Sequence, residues 1–442
     1  MGTDLALGAS SAIVFGILIL LILSGMWVGV ALGAAGIIVL FFMAGQSQDL
    51  IDTVLYDGIG SFVLVAIPLF IFLGEIILHS GLSEKLYQGV SRWTAVIPGG
   101  LLHSNIIACA IFSAVCGSSV ATAATIGTVA YKDQSSRGYS FMMIGGSIAG
   151  GGTLGILIPP SLNMIVYGDF VGASVAKLFA GGILPGVILS AIFMIWIAFY
   201  VRARPHLTPP QERLTWAYPW RALQAFKDVW AVFVIIAVIF IGIYGGLMTP
   251  SEAAAVSCFV ALVLAAIHRK LNFNMLKGAA MASLRTAGMV LLIVLFAKVL
   301  GTGIAMIKLP AQLSEFVISL GLSRMMIWAA IVLLYLILGM FMDGLAMMLL
   351  TLPVVYPLLV MQLGFDPIWF GVVLVLLIEI GCLTPPMGLN LFVVQGVAPH
   401  EDFNKLLKGA VPFVIIELAL VVVVTLVPAI ITWLPEIIVP KY

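Results

Sequence analysis

Two adjacent prolines with an asparagine shortly after them occur twice in strongly apolar sequence. Pro159-Pro160 precede Ser161 and Asn163 in GILIPPSLNMIVYG (155–168), and Pro385-Pro386 precede Asn390 in GCLTPPMGLNLFVVQG (381–396). Proline has no N–H to donate and crowds the turn before it, so each one inside a helix costs roughly 3 kcal/mol. A helix broken there leaves free carbonyls on one side and unpaired amides, at a positive dipole end, on the other. Carbonyl oxygens suit a hard cation such as Na⁺, and amide ends suit a carboxylate. Gly155, Gly381, Thr384 and the carbonyls just before each proline pair are the candidate cation ligands. Asn163 and Asn390 either orient a substrate or tie the broken ends together.

A second duplicated feature lies upstream of each break. From Leu101 to Ala130 the chain is apolar at its ends but small and polar in its middle, CGSSVATAATIG (116–127). A single helix of that length would run about 45 Å, more than a hydrocarbon core needs. Two arms of about a dozen residues, each about 18 Å long, would instead put Gly117-Ser118-Ser119 at the tip of a re-entrant hairpin. The alternative is an ordinary span that uses its small residues for helix packing. The matching element is LGMFMDGLAMMLLTLPVVYP (338–357), where Gly339 and Gly344 flank Asp343. A carboxylate at membrane depth costs about 2.5–3.5 kcal/mol on insertion scales, so a compensating cation or partner is inferred. Nearer the membrane surface the same residue would be a solvated loop aspartate.

These features need helices to hold them. The chain has 442 residues, is 62% hydrophobic and only 9% charged, and has a mean hydropathy of +1.22. Apolar runs of about 20 residues, enough to cross a bilayer, recur along almost all of it. The reading is an all-α polytopic membrane protein set in a lipid bilayer. The first run has no basic region ahead of it and is followed at once by a second run to Ala44, so it is expected to be a retained helix. The longest polar stretch, 201–228, carries Arg202, Arg204, Arg213, Arg221 and Lys227 and is placed in the cytoplasm. HRKLNFNMLK (268–277) agrees with that placement. Between the two, TPSEAAAV (249–256) reads as a tight outside turn, with Thr249 as cap, Pro250 at the first helical position and Glu252 closing a capping box.

The polar stretch divides the chain into halves that overlay. At an offset of 226, Gly117 falls on Asp343 and Pro159-Pro160 on Pro385-Pro386. One inserted residue later, Asn163 pairs with Asn390, Gly182 with Gly409 and Pro185 with Pro412. Both halves keep 42 residues between hairpin tip and break, which marks an internal repeat. Leu82-Ser83-Glu84 also resembles Leu313-Ser314-Glu315. Lys85, Arg92, Lys132 and Arg137 flank the first hairpin, whereas the second has Lys308 and Arg324 on one side and only Asp366 on the other. That asymmetry favours inverted repeats, an arrangement of transporters. The expected division is residues 1–100 as scaffold helices of the first repeat and 101–200 as its hairpin and broken helix. Residues 201–325 hold the cytoplasmic linker and the second scaffold, and 326–442 the second hairpin, broken helix and C-terminal helix.

Several functions are excluded. Cys109, Cys116, Cys258 and Cys382 lie in apolar segments without metal-ligand spacing, and the five histidines form no ligand pair. There is no Walker motif, no nucleophile beside a base and no basic groove, so neither an enzyme nor nucleic-acid binding is indicated. No cofactor is expected beyond a coupling ion. Glu75, Glu379 and Lys298 are intramembrane charges open to packing, proton or interfacial roles, and Glu379 lies one turn before Gly381.

At these residues the sequence resembles the large membrane subunit of a tripartite ATP-independent periplasmic (TRAP) transporter. The resemblance rests on GSSVATAATIG, GTLGILIPPSLNMIVYG, SVAKLFAGGILPGV, GLMTPSEAAAV, LGMFMDGLAMMLLTLPVVYP and EIGCLTPPMGLNLFVV. It implies an elevator-type importer, akin to the ion transporter superfamily, that moves small organic acid anions with Na⁺ across the bacterial inner membrane. It also implies a small four-helix membrane subunit and a periplasmic substrate-binding protein as partners. Sodium sites would fall at Gly117, Ser118 and Gly155, and at Gly339, Gly381, Thr384 and Met387; substrate would lie near Ser119, Ser161 and Asp343. Cys116 stands where members often carry serine, which would leave the first sodium site more dependent on carbonyls. No arginine is placed unambiguously for substrate, Arg285 and Lys308 being the candidates. A stand-alone Na⁺- or H⁺-coupled dicarboxylate or citrate symporter is the neighbouring reading.

Overall fold

A computed structural model describes residues 7–210 and 218–439, and these form helices and turns without a strand. Arg213 lies outside the described residues. The first half runs through α1 (Leu7–Leu23), α2 (Val28–Ile38), α3 (Gln48–Ile59), α4 (Ala66–His79), α5 (Leu82–Thr94), α6 (Leu101–Cys116), α7 (Ser119–Ser136), α8 (Phe141–Leu157), α9 (Leu162–Val171) and α10 (Val175–Ala203). The second runs through α11 (Tyr218–Tyr244), α12 (Pro250–Ile267), α13 (Phe273–Met306), α14 (Leu309–Ser319), α15 (Arg324–Gly339), α16 (Gly344–Tyr356), α17 (Pro367–Leu383), α18 (Leu389–Val397), α19 (Phe403–Leu426) and α20 (Ala429–Ile438). Among the described residues, seven helical segments are long and apolar enough to cross a membrane. The chain is a multi-pass, all-α membrane protein.

The repeat covers seven consecutive elements, with α4 to α10 matching α13 to α19 in order. Even the bends agree, since Gly81 ahead of α5 and Lys308 ahead of α14 are both left-handed, at φ 73° and 58°. The capping box at Thr249 and Glu252 forms as its spacing predicts. The polar stretch 201–228 is less of a loop than its composition suggests. Helix α10 continues to Ala203 and α11 begins at Tyr218, so Arg202 and Lys227 lie on helices.

Each half turns back on itself at the expected tip. Helices α6 and α7 meet at Gly117, whose φ of 69° favours glycine, and the Ser118 hydroxyl accepts a hydrogen bond from the Ala121 amide. The arms are 16 and 18 residues, longer than a dozen: α6 fills the whole of Leu101–Cys116, and α7 runs on past Ala130 into Lys132 and Asp133. Buried amides hold this hairpin in place. Asn105 and Gln134 exchange hydrogen bonds of 3.2 and 2.6 Å; Asn105 also donates to Ser147 on α8, and Gln134 to Tyr87 on α5. In the second half α15 and α16 turn at residues 340–343, and the Asp343 carboxylate caps α16.

Helices α8 and α17 have almost no outer face. Every residue from Met143 to Leu157 and from Trp369 to Leu383 is buried, so neither shows the apolar stripe of a surface helix. Glycine relieves the crowding around α8. A Cβ on Gly146 would sit 2.3 Å from the Gly409 carbonyl oxygen, and one on Gly409 would sit 2.0 Å from that of Met142. Helices α8 and α19 therefore cross backbone on backbone. Gly409→Ala is expected to destabilise the fold by about 1–3 kcal/mol through overpacking, read as a lower Tm of the purified protein. An unchanged Tm would mean that the crossing relaxes freely.

Candidate functional site

Each proline pair separates two helices, α8 from α9 and α17 from α18, and both Pro–Pro bonds are cis. Pro159 stands four residues after Gly155, and Pro385 four after Gly381. Neither glycine carbonyl can therefore receive the amide that a continuous helix would supply. The Gly381 carbonyl accepts the Thr384 amide at 3.2 Å instead, while the Thr384 hydroxyl donates to the Ile380 carbonyl at 2.6 Å. The residue inserted in the second break is accommodated by Gly388, at φ 45°.

Each hairpin tip rests on the break of its own half. The Leu162 amide donates to the Gly117 carbonyl at 3.3 Å, and the Met387 amide donates to the Met340 carbonyl at 3.0 Å. Glycine makes room for both contacts. A Cβ on Gly155 would lie 2.7 Å from the Ser118 carbonyl oxygen, and one on Gly381 would lie 2.8 Å from the Gly339 Cα. Gly117, Ser118 and Gly155 thus gather at one contact. Gly339, Gly381 and Met387 gather at the other, lining a narrow cleft.

A cavity of about 520 Å³ opens between the tips. Gly117, Ser118, Ser119 and Asn163 line it from the first half, and Asp343 and Gly344 from the second. Further apolar residues of both halves, such as Phe112, Ile156 and Ile378, complete that side, and α2, α4 and α13 add Val28, Ile71, Glu75, Met289 and Ile293. Asp343 is open to this space, with its Oδ2 accepting the Leu345 and Ala346 amides at 3.2 and 3.3 Å. Cys116 also borders the cavity, and its sulfur packs towards Gly74 of α4.

Two of the expected substrate residues do not reach the cavity. Ser161 is fully buried and caps α9 by accepting the Met164 amide at 3.4 Å. Asn390 is also fully buried, and its amide donates to Ser119 Oγ at 2.7 Å and to the Ala149 carbonyl at 3.3 Å. These bonds join the second broken helix to the first hairpin tip and to α8, not the two ends of its own break. Arg285 and Lys308 are absent from the lining.

Some side-chain partnerships were not legible from residue spacing. Lys298 Nζ on α13 lies 2.6 Å from Asp169 Oδ2 on α9, and Asp169 also accepts from the Ser61 hydroxyl. Opposite charges in two distant apolar segments were the available signal. Glu379 is fully buried within electrostatic reach of Glu417, whose Oε1 accepts the Thr153 hydroxyl at 2.6 Å.

Residues 15–430 match the family described as tripartite ATP-independent periplasmic transporter, DctM component. The chain is 32% identical over 448 residues to the C4-dicarboxylate TRAP transporter large permease protein DctM of Vibrio cholerae, covering 96% of this chain and 97% of that protein. It is 32% identical over 419 residues to the isethionate TRAP transporter permease protein DctMQ of Oleidesulfovibrio alaskensis, covering 95% of this chain but 65% of that protein's length. In architecture it resembles the Alcanivorax borkumensis YdaH transporter, with a TM-score of 0.59 at 14% identity over 86% of this chain and 89% of the other.

Proposed function

The chain belongs to the tripartite ATP-independent periplasmic transporter family as a DctM component, and on that premise we propose that it is the permease of a Na⁺-coupled importer of small organic acid anions. It is a multi-pass permease of the bacterial inner membrane, not an enzyme. A periplasmic binding protein delivers the substrate, and a small four-helix membrane subunit completes the assembly. The duplicated contact of hairpin tip on helix break supports this reading most strongly. In both halves a proline withholds its amide from a glycine carbonyl beside the tip, and in each half an amide of the break bonds a carbonyl at the tip. Oxygen-rich clusters of that kind suit sodium, and the cavity between them suits the anion.

Two hairpins, two broken helices and the Asn390 tie form the moving body in this reading. Helices α2, α4 and α13 form the wall against which it slides as an elevator. Sodium binds at Gly117, Ser118 and Gly155 and at Gly339, Gly381, Thr384 and Met387, and substrate reaches Ser119, Asn163 and Asp343. The test is uptake of radiolabelled organic acids into proteoliposomes containing the chain and its small subunit. Uptake is expected to require both an inward Na⁺ gradient and the binding protein. Uptake that persisted in choline would remove the sodium coupling. Full uptake without the binding protein would favour the stand-alone symporter.

A further inference from the structure

We propose that the cavity takes organic acids with one carboxylate and an apolar body in preference to dicarboxylates, a narrowing that rests on the anion-importer reading above. Among the described residues that line it there is no lysine, arginine or histidine, while there are two carboxyl groups, those of Glu75 and Asp343. His79, 3.3 Å from Glu75, stays outside the lining. A second carboxylate on the substrate would therefore meet further carboxyl groups and no side-chain cation.

The two helix starts at the cavity are not equivalent as anion holders. At α16 the Asp343 carboxylate already occupies the Leu345 and Ala346 amides, so that positive end carries its own anion. At α7 the cap is the neutral Ser118 hydroxyl, which accepts only the Ala121 amide, at 3.4 Å. The first amides of α7 are left for one substrate carboxylate. The rest of that molecule faces Trp27, Phe112, Ile156, Leu162, Leu345 and Ile378, a wall that rewards apolar surface, and only the neutral Thr125, Asn163 and Thr286 are left for a second charge. Glu75 lies on α4, where its neighbour Gly74 packs on Cys116, and adds a carboxyl group to the lining.

The test titrates the chain, in nanodiscs with its small subunit, with isovalerate, phenylacetate, succinate and glutarate. Thermal shift is followed in NaCl and in choline chloride. In NaCl both monocarboxylates are expected to reach half-effect at a concentration at least about tenfold lower than either dicarboxylate. Glu75→Gln is expected to shrink that ratio at least about threefold, chiefly by improving the dicarboxylates. Dicarboxylates binding as tightly as the monocarboxylates in the unaltered chain would overturn the proposal and leave anion import standing. Absence of a sodium-dependent response to all four acids would overturn both.

Discussion

Gly155→Ala is expected to abolish Na⁺-driven uptake, by at least about a hundredfold, while the protein still inserts and assembles. The added Cβ would lie 2.7 Å from both the Ser118 carbonyl oxygen and the Ser119 Cα, which are backbone atoms that cannot swing aside. Either the hairpin tip lifts from the break or α8 bends away from it. Both movements separate the Gly155 carbonyl, left without an amide donor by Pro159, from the Gly117–Ser118 corner. A shift of about 1 Å is enough to lose roughly two orders of magnitude from a site that works by fixed geometry. Initial uptake rate against Na⁺ concentration is the measurement. Gly288→Ala serves as the control, because a Cβ there meets nothing within 4 Å. Normal uptake by Gly155→Ala would show that tip and break need not touch. Gly381→Ala, with its clash on Gly339, is expected to behave alike at the second contact.

How much of this was legible in sequence follows from what kind of interaction each feature depends on. The breaks at Pro159-Pro160 and Pro385-Pro386 and the turns at Gly117 and Asp343 are local backbone chemistry, so residue type and spacing revealed them. The repeat was legible for the same reason, although its extent through α4 and α13 became visible only with the matching left-handed residues Gly81 and Lys308. Ser161 is a substrate group only by the family resemblance, and Asn390, polar and close to a break, is open between a substrate group and a tie. Whether such a side chain faces the cavity depends on rotation about a short helix, which two apolar faces leave undetermined. Glu75 poses the reverse case, since only the packing of α4 against the Cys116–Gly117 corner shows that it faces the cavity. The pairing of Asp169 with Lys298 joins residues 129 positions apart, and no local pattern encodes a contact of that range.

That pair gives the other large expected effect. Asp169 has only 8% of its side chain exposed and Lys298 22%, so each charge depends on the other. Removing one partner of a buried pair costs about 3–5 kcal/mol, and the partial exposure of Lys298 brings the expectation to about 2–3 kcal/mol. Lys298→Met should therefore lower the Tm clearly, and Asp169→Leu combined with Lys298→Met should recover most of the loss, because the lone buried charge is then gone. The location makes this more than a stability contact. Asp169 lies on α9, just past the first break, Lys298 on α13, and the Ser61 hydroxyl binds Asp169 from the segment between α3 and α4. In the elevator reading the ion pair joins the moving body to the wall, and it must open whenever the two slide apart. Breaking it would then destabilise this conformation relative to the other by the same 2–3 kcal/mol, a shift of about 30- to 160-fold in their populations. Hydrogen exchange along α9 should rise in Lys298→Met and fall back with the Tm in the double variant, because the lone buried charge that favours separation is gone. Unchanged exchange in Lys298→Met despite a lowered Tm would show that the pair does not hold the two bodies together.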